Sequence, residues 1–143
     1  MSFFIDTSSL FKRYQPEKGS TAVSKIFLES KESIFISSIT IIEIISNLKR
    51  LVEVDKITSE AQFLMQYSFF YQDISTLDIT ILDVTADDII RAEELIMKRY
   101  MKPVDSIQLS IALSLKPDNV TFVSSDRRLC KIAAEEGLNI ITP

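Results

Sequence analysis

Short runs of apolar, β-prone residues punctuate the chain at five places: SFFI (2–5), SIFIS (33–37), LDITILDV (77–84), VTFVSS (120–125) and LNIIT (138–142). Each is too short for a stable helix and rich in β-branched or aromatic residues, so each predicts a strand. Between them, apolar residues recur at helical spacing. The segments TSSLFKRY (7–14), STAVSKIFLESK (20–31), ITIIEIISNLKRL (39–51) and SEAQFLMQYSFFYQD (59–73) predict helices. So do ADDIIRAEELIMKRY (86–100), VDSIQLSIALSL (104–115) and DRRLCKIAAEEG (126–137). Punctuation agrees with the periodicity. Thr85 and Asp88 read as a capping box, Pro103 suits a first helical turn, and Gly137 suits a helix end. Strands alternating with helices predict an α/β fold, a three-layer α/β/α sandwich with a mostly parallel central sheet. No linker or repeat interrupts the pattern, so residues 1–143 are expected to form one domain.

Composition narrows the chemistry. There is no histidine, which excludes Ser-His-Asp and Cys-His catalysis and most zinc sites. The two glycines, Gly19 and Gly137, are too few for a phosphate-binding glycine loop. One cysteine, Cys130, permits no internal disulfide and is expected to be a buried thiol in a reducing compartment. The greasiest stretch, IFISSITIIEIISNL, is cut by Glu43 and falls short of a membrane span. No secretory leader is visible, so a cytoplasmic protein is expected.

Enzymatic work in such a chain falls to carboxylates, hydroxyls, lysines or an added metal. In parallel α/β sheets, ligands gather at the carboxyl ends of the strands. Asp6 closes the first strand and Asp126 follows the fourth. Either serves equally well as a plain helix N-cap. Asp105 opens an otherwise apolar helix, where an acid also complements the helix dipole. Glu43 is harder to explain locally. It sits among Ile41, Ile42, Ile44 and Ile45 with no basic residue within a turn. A buried carboxylate there needs a cation or a hydrogen-bond partner. Asp87, Asp88, Glu93, Glu94, Glu135 and Glu136 are expected on solvated helix faces, and Asp83 is expected to do local capping work.

These residues carry a resemblance. FFIDTSSLFKRYQPEKGS, SSITIIEIISNLKR, PVDSIQLSIAL and FVSSDRRLCKIAAEEGLNIITP, in that order, resemble the PIN-domain ribonucleases, and among them the VapC-type toxins of toxin–antitoxin pairs. The likeness runs over essentially the whole chain. It maps the family's acidic quartet onto Asp6, Glu43, Asp105 and Asp126, and the hydroxyl before the last acid onto Ser124. Many relatives carry a histidine where Gln108 stands. That departure leaves the quartet intact and bears on substrate preference.

The resemblance implies hydrolysis of RNA phosphodiester bonds, leaving 5′-phosphate and 3′-hydroxyl ends. Carboxylates without His or Cys suit a hard cation, Mg²⁺ or Mn²⁺, as one ion or two. Asp6 and Asp105 are the expected direct ligands. Glu43 and Asp126 would complete the site, and Ser124 and Thr7 would orient it. The formal charge of −4 equals the charge of the four acids, so the remainder is balanced. Lys12, Arg13, Lys98, Arg99, Lys102, Arg127 and Arg128 are candidate phosphate contacts. The aromatic segment around Phe63, Tyr67, Phe70 and Tyr71 is a candidate homodimer or antitoxin contact. The alternative to a nuclease is a non-catalytic RNA-binding or interaction module on the same fold. A phosphoryl-transfer enzyme using Asp6 as nucleophile is disfavoured by Ser8, where a second Asp would be needed.

Overall fold

The computed structural model describes residues 2–29 and 33–143. Five strands form one sheet: β1 (Ser2–Ile5), β2 (Ser33–Ser37), β3 (Ile79–Leu82), β4 (Val120–Val123) and β5 (Asn139–Ile141). Their spatial order is β3-β2-β1-β4-β5, and every pairing is parallel. The helices are α1 (Thr7–Tyr14), α2 (Ser20–Glu29), α3 (Ser38–Glu53), α4 (Glu60–Thr76), α5 (Ala86–Lys98), α6 (Pro103–Ser114) and α7 (Arg127–Glu135). A 3₁₀ turn, Lys116–Asp118, leads into β4. The last two residues of the expected second helix, Ser30 and Lys31, lie outside the described residues.

Alternation along the strands divides the core into two layers, because successive side chains point to opposite faces. Ile5, Ile34, Ile36, Ile79 and Val123 face one side and pack with Leu10, Val23, Ile44, Leu48 and Phe70 of α1–α4. Phe4, Val120 and Phe122 face the other and pack with Leu95, Leu109, Leu129 and Ile132 of α5–α7. The Phe4 and Phe122 rings stack across β1 and β4 at 5.9 Å. This is the expected three-layer α/β/α sandwich, with a wholly parallel sheet.

The capping signals behave as read. Thr85 and Asp88 close a reciprocal capping box on α5. Pro103 occupies the first turn of α6, and Gly137 adopts φ +92° after α7. Two acids expected on solvated faces are not there. Asp88 is buried, held by the Thr85 amide and by Arg91 at 3.1 Å. Glu136 is largely covered and ion-paired with Lys98 and Arg99, and that pairing holds its carboxylate below the usual pKa.

The aromatic face of α4 splits in two. Phe63 and Phe70 are core residues, Phe70 completely so, whereas Tyr67 and Tyr71 are exposed. With Ile41, Ile42 and Ile45 of α3, the two tyrosines line a groove of roughly 810 Å³. None of the four candidate acids lines it. Cys130 is buried, with its thiol on the Ser124 carbonyl. No helix among the described residues is long and apolar enough to cross a membrane.

A candidate acidic active site at the carboxyl edge of the sheet

The sheet order places β1 between β2 and β4, so connections leave it toward both sides. A crevice opens at such a switch point, beyond the carboxyl ends of the strands. Asp6 stands at this edge, with its amide N–H bonded to the Val123 carbonyl at 2.9 Å. Its backbone occupies the N-cap position of α1, but its side chain makes no capping bond. The carboxylate instead takes hydroxyl partners. Oδ2 accepts the Ser8 hydroxyl at 2.8 Å and the Ser124 hydroxyl at 2.9 Å. Asp6 is 4% exposed, and its pKa is pushed up to about 6. Burial is the largest cause, opposed by the two hydroxyl bonds and reinforced by the charges of Asp105 and Glu43.

Serines join this edge to the β4–α7 loop. Ser124 Oγ donates to Asp6 and accepts the Asp126 amide N–H at 3.1 Å, so one hydroxyl spans two of the acids. Ser8 Oγ accepts the Ser125 amide N–H at 3.1 Å, and the Ser9 and Ser125 hydroxyls meet at 2.9 Å. Asp126 caps α7 through the Leu129 amide N–H at 3.1 Å, which fixes that carboxylate at the helix N-terminus.

Asp105, in the first turn of α6, is half-buried. Burial is the main cause of its raised pKa. Asp126 and Glu43 push it further up, while Lys102 and Arg128 pull it down. The raised pKa values of Asp6 and Asp105 thus share a contribution from Glu43, although the three acids lie far apart in the chain.

Glu43 has neutral partners. The Thr7 hydroxyl donates to its Oε1 at 2.7 Å, and the Gln108 amide reaches the same oxygen at 3.2 Å. That Gln108 nitrogen also lies 2.8 Å from Thr40 Oγ1 and 3.2 Å from Thr7 Oγ1. Thr7 therefore serves Glu43. Ser8, Ser9, Ser125, Thr40 and the role of Gln108 escape a reading from the sequence, although TSS and SSD both lie at strand ends.

The seven candidate cations separate into groups. Arg13 is sequestered, with its guanidinium gripping Asp73 through two bonds of 2.6 and 3.0 Å. Both side chains of that pair are nearly inaccessible. It joins α1 to α4 and has no face left for a phosphate. Lys98 and Arg99 are engaged by Glu135 and Glu136, and Lys12 leans on the Pro143 carbonyl. Lys102, Arg127 and Arg128 are exposed beside Asp105 and Asp126 in the chain. Arg128 donates to the Tyr100 carbonyl.

A family model for the PIN domain matches residues 3–135. The chain belongs to the PIN-domain family. No curated protein matches it. Solved structures similar to this PIN domain include the toxin VapC20 of Mycobacterium tuberculosis, described as cleaving the sarcin–ricin loop. That likeness has TM-score 0.69 at 15% identity and covers 99% of both chains. VapBC2 of Rickettsia felis, bound to a promoter DNA fragment, gives TM-score 0.69 at 18% identity over 99% of this chain and 98% of that one. FitAcB of Neisseria gonorrhoeae gives TM-score 0.70 at 14% identity over 97% and 96%. At these identities the shared property is the fold.

The donor set of this PIN domain is all oxygen, which suits a hard divalent cation and not a soft one. Asp6 presents a buried carboxylate whose two hydroxyl partners both occupy Oδ2. Among the described residues, no three acidic, cysteine or histidine side chains form a ready cage. The donors fit an ion in kind and in mutual charge, with the carboxylates still spread.

Proposed function

We propose that this PIN domain is a divalent-metal-dependent ribonuclease and the toxin of a type II toxin–antitoxin pair. One observation carries the reading: Asp6 is buried at the sheet's switch point, makes no helix-capping bond, and is tied through the Ser124 hydroxyl to the loop that holds Asp126. Asp6 and Asp105 would hold the cation, with Asp126 and Glu43 completing its surroundings. When bound, Mg²⁺ or Mn²⁺ acidifies a water nucleophile and stabilises charge on the scissile phosphate. The chain's own contribution is rigidity. Ser8 and Ser124 aim Asp6, the α7 cap aims Asp126, and Thr7 and Gln108 aim Glu43. Lys102, Arg127 and Arg128 would receive backbone phosphates at the rim.

Similar structures are toxin–antitoxin complexes, and one similar toxin is named for cleaving an RNA loop. We extend both properties to this chain: looped RNA as substrate and an antitoxin as inhibitor. The groove bearing Tyr67 and Tyr71 is the proposed partner surface. Homodimerisation is proposed through the exposed apolar residues of α4, among them Leu64, Met65, Tyr67 and Tyr71. The cytoplasm is the proposed location.

The test is incubation of purified protein with a pool of structured RNAs, in Mg²⁺, in Mn²⁺ and in chelator. Cleavage that needs metal and vanishes in Asp6→Asn and Asp105→Asn is the expected result. RNA binding with no cleavage in either metal would sink the nuclease reading. It would favour the non-catalytic module on the same fold.

A further inference from the structure

Gln108 is completely buried at the centre of a polar network inside an otherwise apolar helix. Its Nε2 faces Thr40 Oγ1 at 2.8 Å, Thr7 Oγ1 at 3.2 Å and Glu43 Oε1 at 3.2 Å. Its Oε1 is buried with no hydrogen-bond partner. An orphaned buried acceptor carries a free-energy cost. Rotating the amide would not relieve it, because Oε1 would then confront a carboxylate that only accepts.

The donor directions follow. Thr7 gives its proton to Glu43 at 2.7 Å, so across the 3.0 Å contact between the threonines Thr40 donates to Thr7. Gln108 supplies the remaining protons, one to Thr40 and one shared between Thr7 and Glu43. The chain of bonds runs one way and ends on Glu43 Oε1. Each bond polarises the next, and the buried surroundings strengthen all of them. Three helices contribute to it: α1 through Thr7, α3 through Thr40 and Glu43, and α6 through Gln108. α6 also carries Asp105, one turn away.

We infer that Gln108 is a positioning residue that fixes the Glu43 carboxylate relative to Asp105 and so sets the site's affinity for its divalent cation. The inference rests on the metal-site reading above. A neutral amide holds Glu43 without neutralising it, so the full negative charge stays available to the ion. A cationic partner would compete with the metal.

The experiment measures Mn²⁺ binding by calorimetry in the full chain, with metal-free melting temperature as the check on folding. Gln108→Met keeps the length and removes the donor. The Mn²⁺ Kd should rise by about 10-fold or more, the scale seen when an outer partner of a metal ligand is lost. RNA cleavage should return toward the wild-type rate when Mn²⁺ is raised to saturation. In a Glu43→Gln background the same change should alter Kd by less than about 2-fold, because the two residues act as a unit. Gln108→Asn withdraws the amide by one methylene and should behave like Gln108→Met. It decides the question if the methionine variant does not fold. A Kd matching wild type in both variants overturns the inference, and so does an equal loss with or without Glu43. If folded wild-type protein binds no Mn²⁺, the metal-site reading itself falls. If it binds and cleaves while Gln108→Met is unchanged, the role given to Gln108 falls alone.

Discussion

Replacing Asp6 by asparagine should stabilise the protein while abolishing cleavage. The folded-state pKa of Asp6 is about 6 against an ordinary 3.8, with burial the leading cause. Above pH 6 the folded chain must hold a buried charge that the unfolded chain hydrates freely. The sign follows from linkage. Between those two values the unfolded chain has released the proton and the folded chain keeps it, so stability falls as pH rises through that window. A shift from 3.8 to about 6 amounts to about 3 kcal/mol, at about 1.4 kcal/mol per pH unit. Asparagine has no charge to bury and can still accept a serine hydroxyl. Asp6→Asn should therefore gain up to about 3 kcal/mol at pH 7.5, or roughly 6–12 °C in Tm for a chain of this length. The advantage should shrink below pH 6 and disappear near pH 4. Thermal melts of both proteins in chelator, from pH 4 to 7.5, provide the measurement. A plain N-cap makes a different prediction, since Asn and Asp cap almost equally well and the curves would coincide at every pH. Coincident curves, or an asparagine variant less stable at pH 7.5, would refute the reasoning.

Asp126 has two tasks that substitution should separate. Asp126→Asn keeps the α7 cap and should cost under about 0.5 kcal/mol by urea melt while losing metal-dependent cleavage, whereas Asp126→Ala should cost about 1 kcal/mol more. Asp73→Ala should destabilise by about 3–5 kcal/mol, because it strands the buried Arg13 charge. The same variant leaves the Tyr14 hydroxyl, 2.7 Å from Asp73, without its acceptor. Folded Arg13 variants should show an unaltered salt dependence of RNA binding. In α4, Phe70→Ala should cost about 3–5 kcal/mol from the cavity it leaves. Tyr67→Ala should stay within about 1 kcal/mol of wild type by denaturation and weaken the antitoxin complex by calorimetry.

The strands and helices of this fold were legible because they rest on local patterns. Position at strand ends singled out Asp6 and Asp126 as candidates. Glu43 stood out because its neighbours are isoleucines and no cation lies within a turn. What stayed hidden involves partners far apart in the chain. Arg13 looks like an exposed helix cation until Asp73, 60 residues on, is folded against it. Glu136 looks solvated until Lys98, 38 positions back, is in place. The partners of Glu43 proved to be two neutral groups, Thr7 and Gln108, 36 and 65 positions away. Serine and threonine are common at helix starts, so nothing local marks the clasp between Ser8 and Ser125.

The strand order also sets a timetable. β1 is made first, yet one of its edges stays unpaired until β4 exists, because β4 is its neighbour on that side. The serine that aims Asp6, and the acid across from it, sit just after that late strand. A chain made at about 5–20 residues per second carries Asp6 and Glu43 for several seconds before Ser124 and Asp126 emerge. For an enzyme proposed to cut RNA, the wiring of the sheet puts the fourth acid last: Asp126, and the serine that aims Asp6, join only after β4 is made.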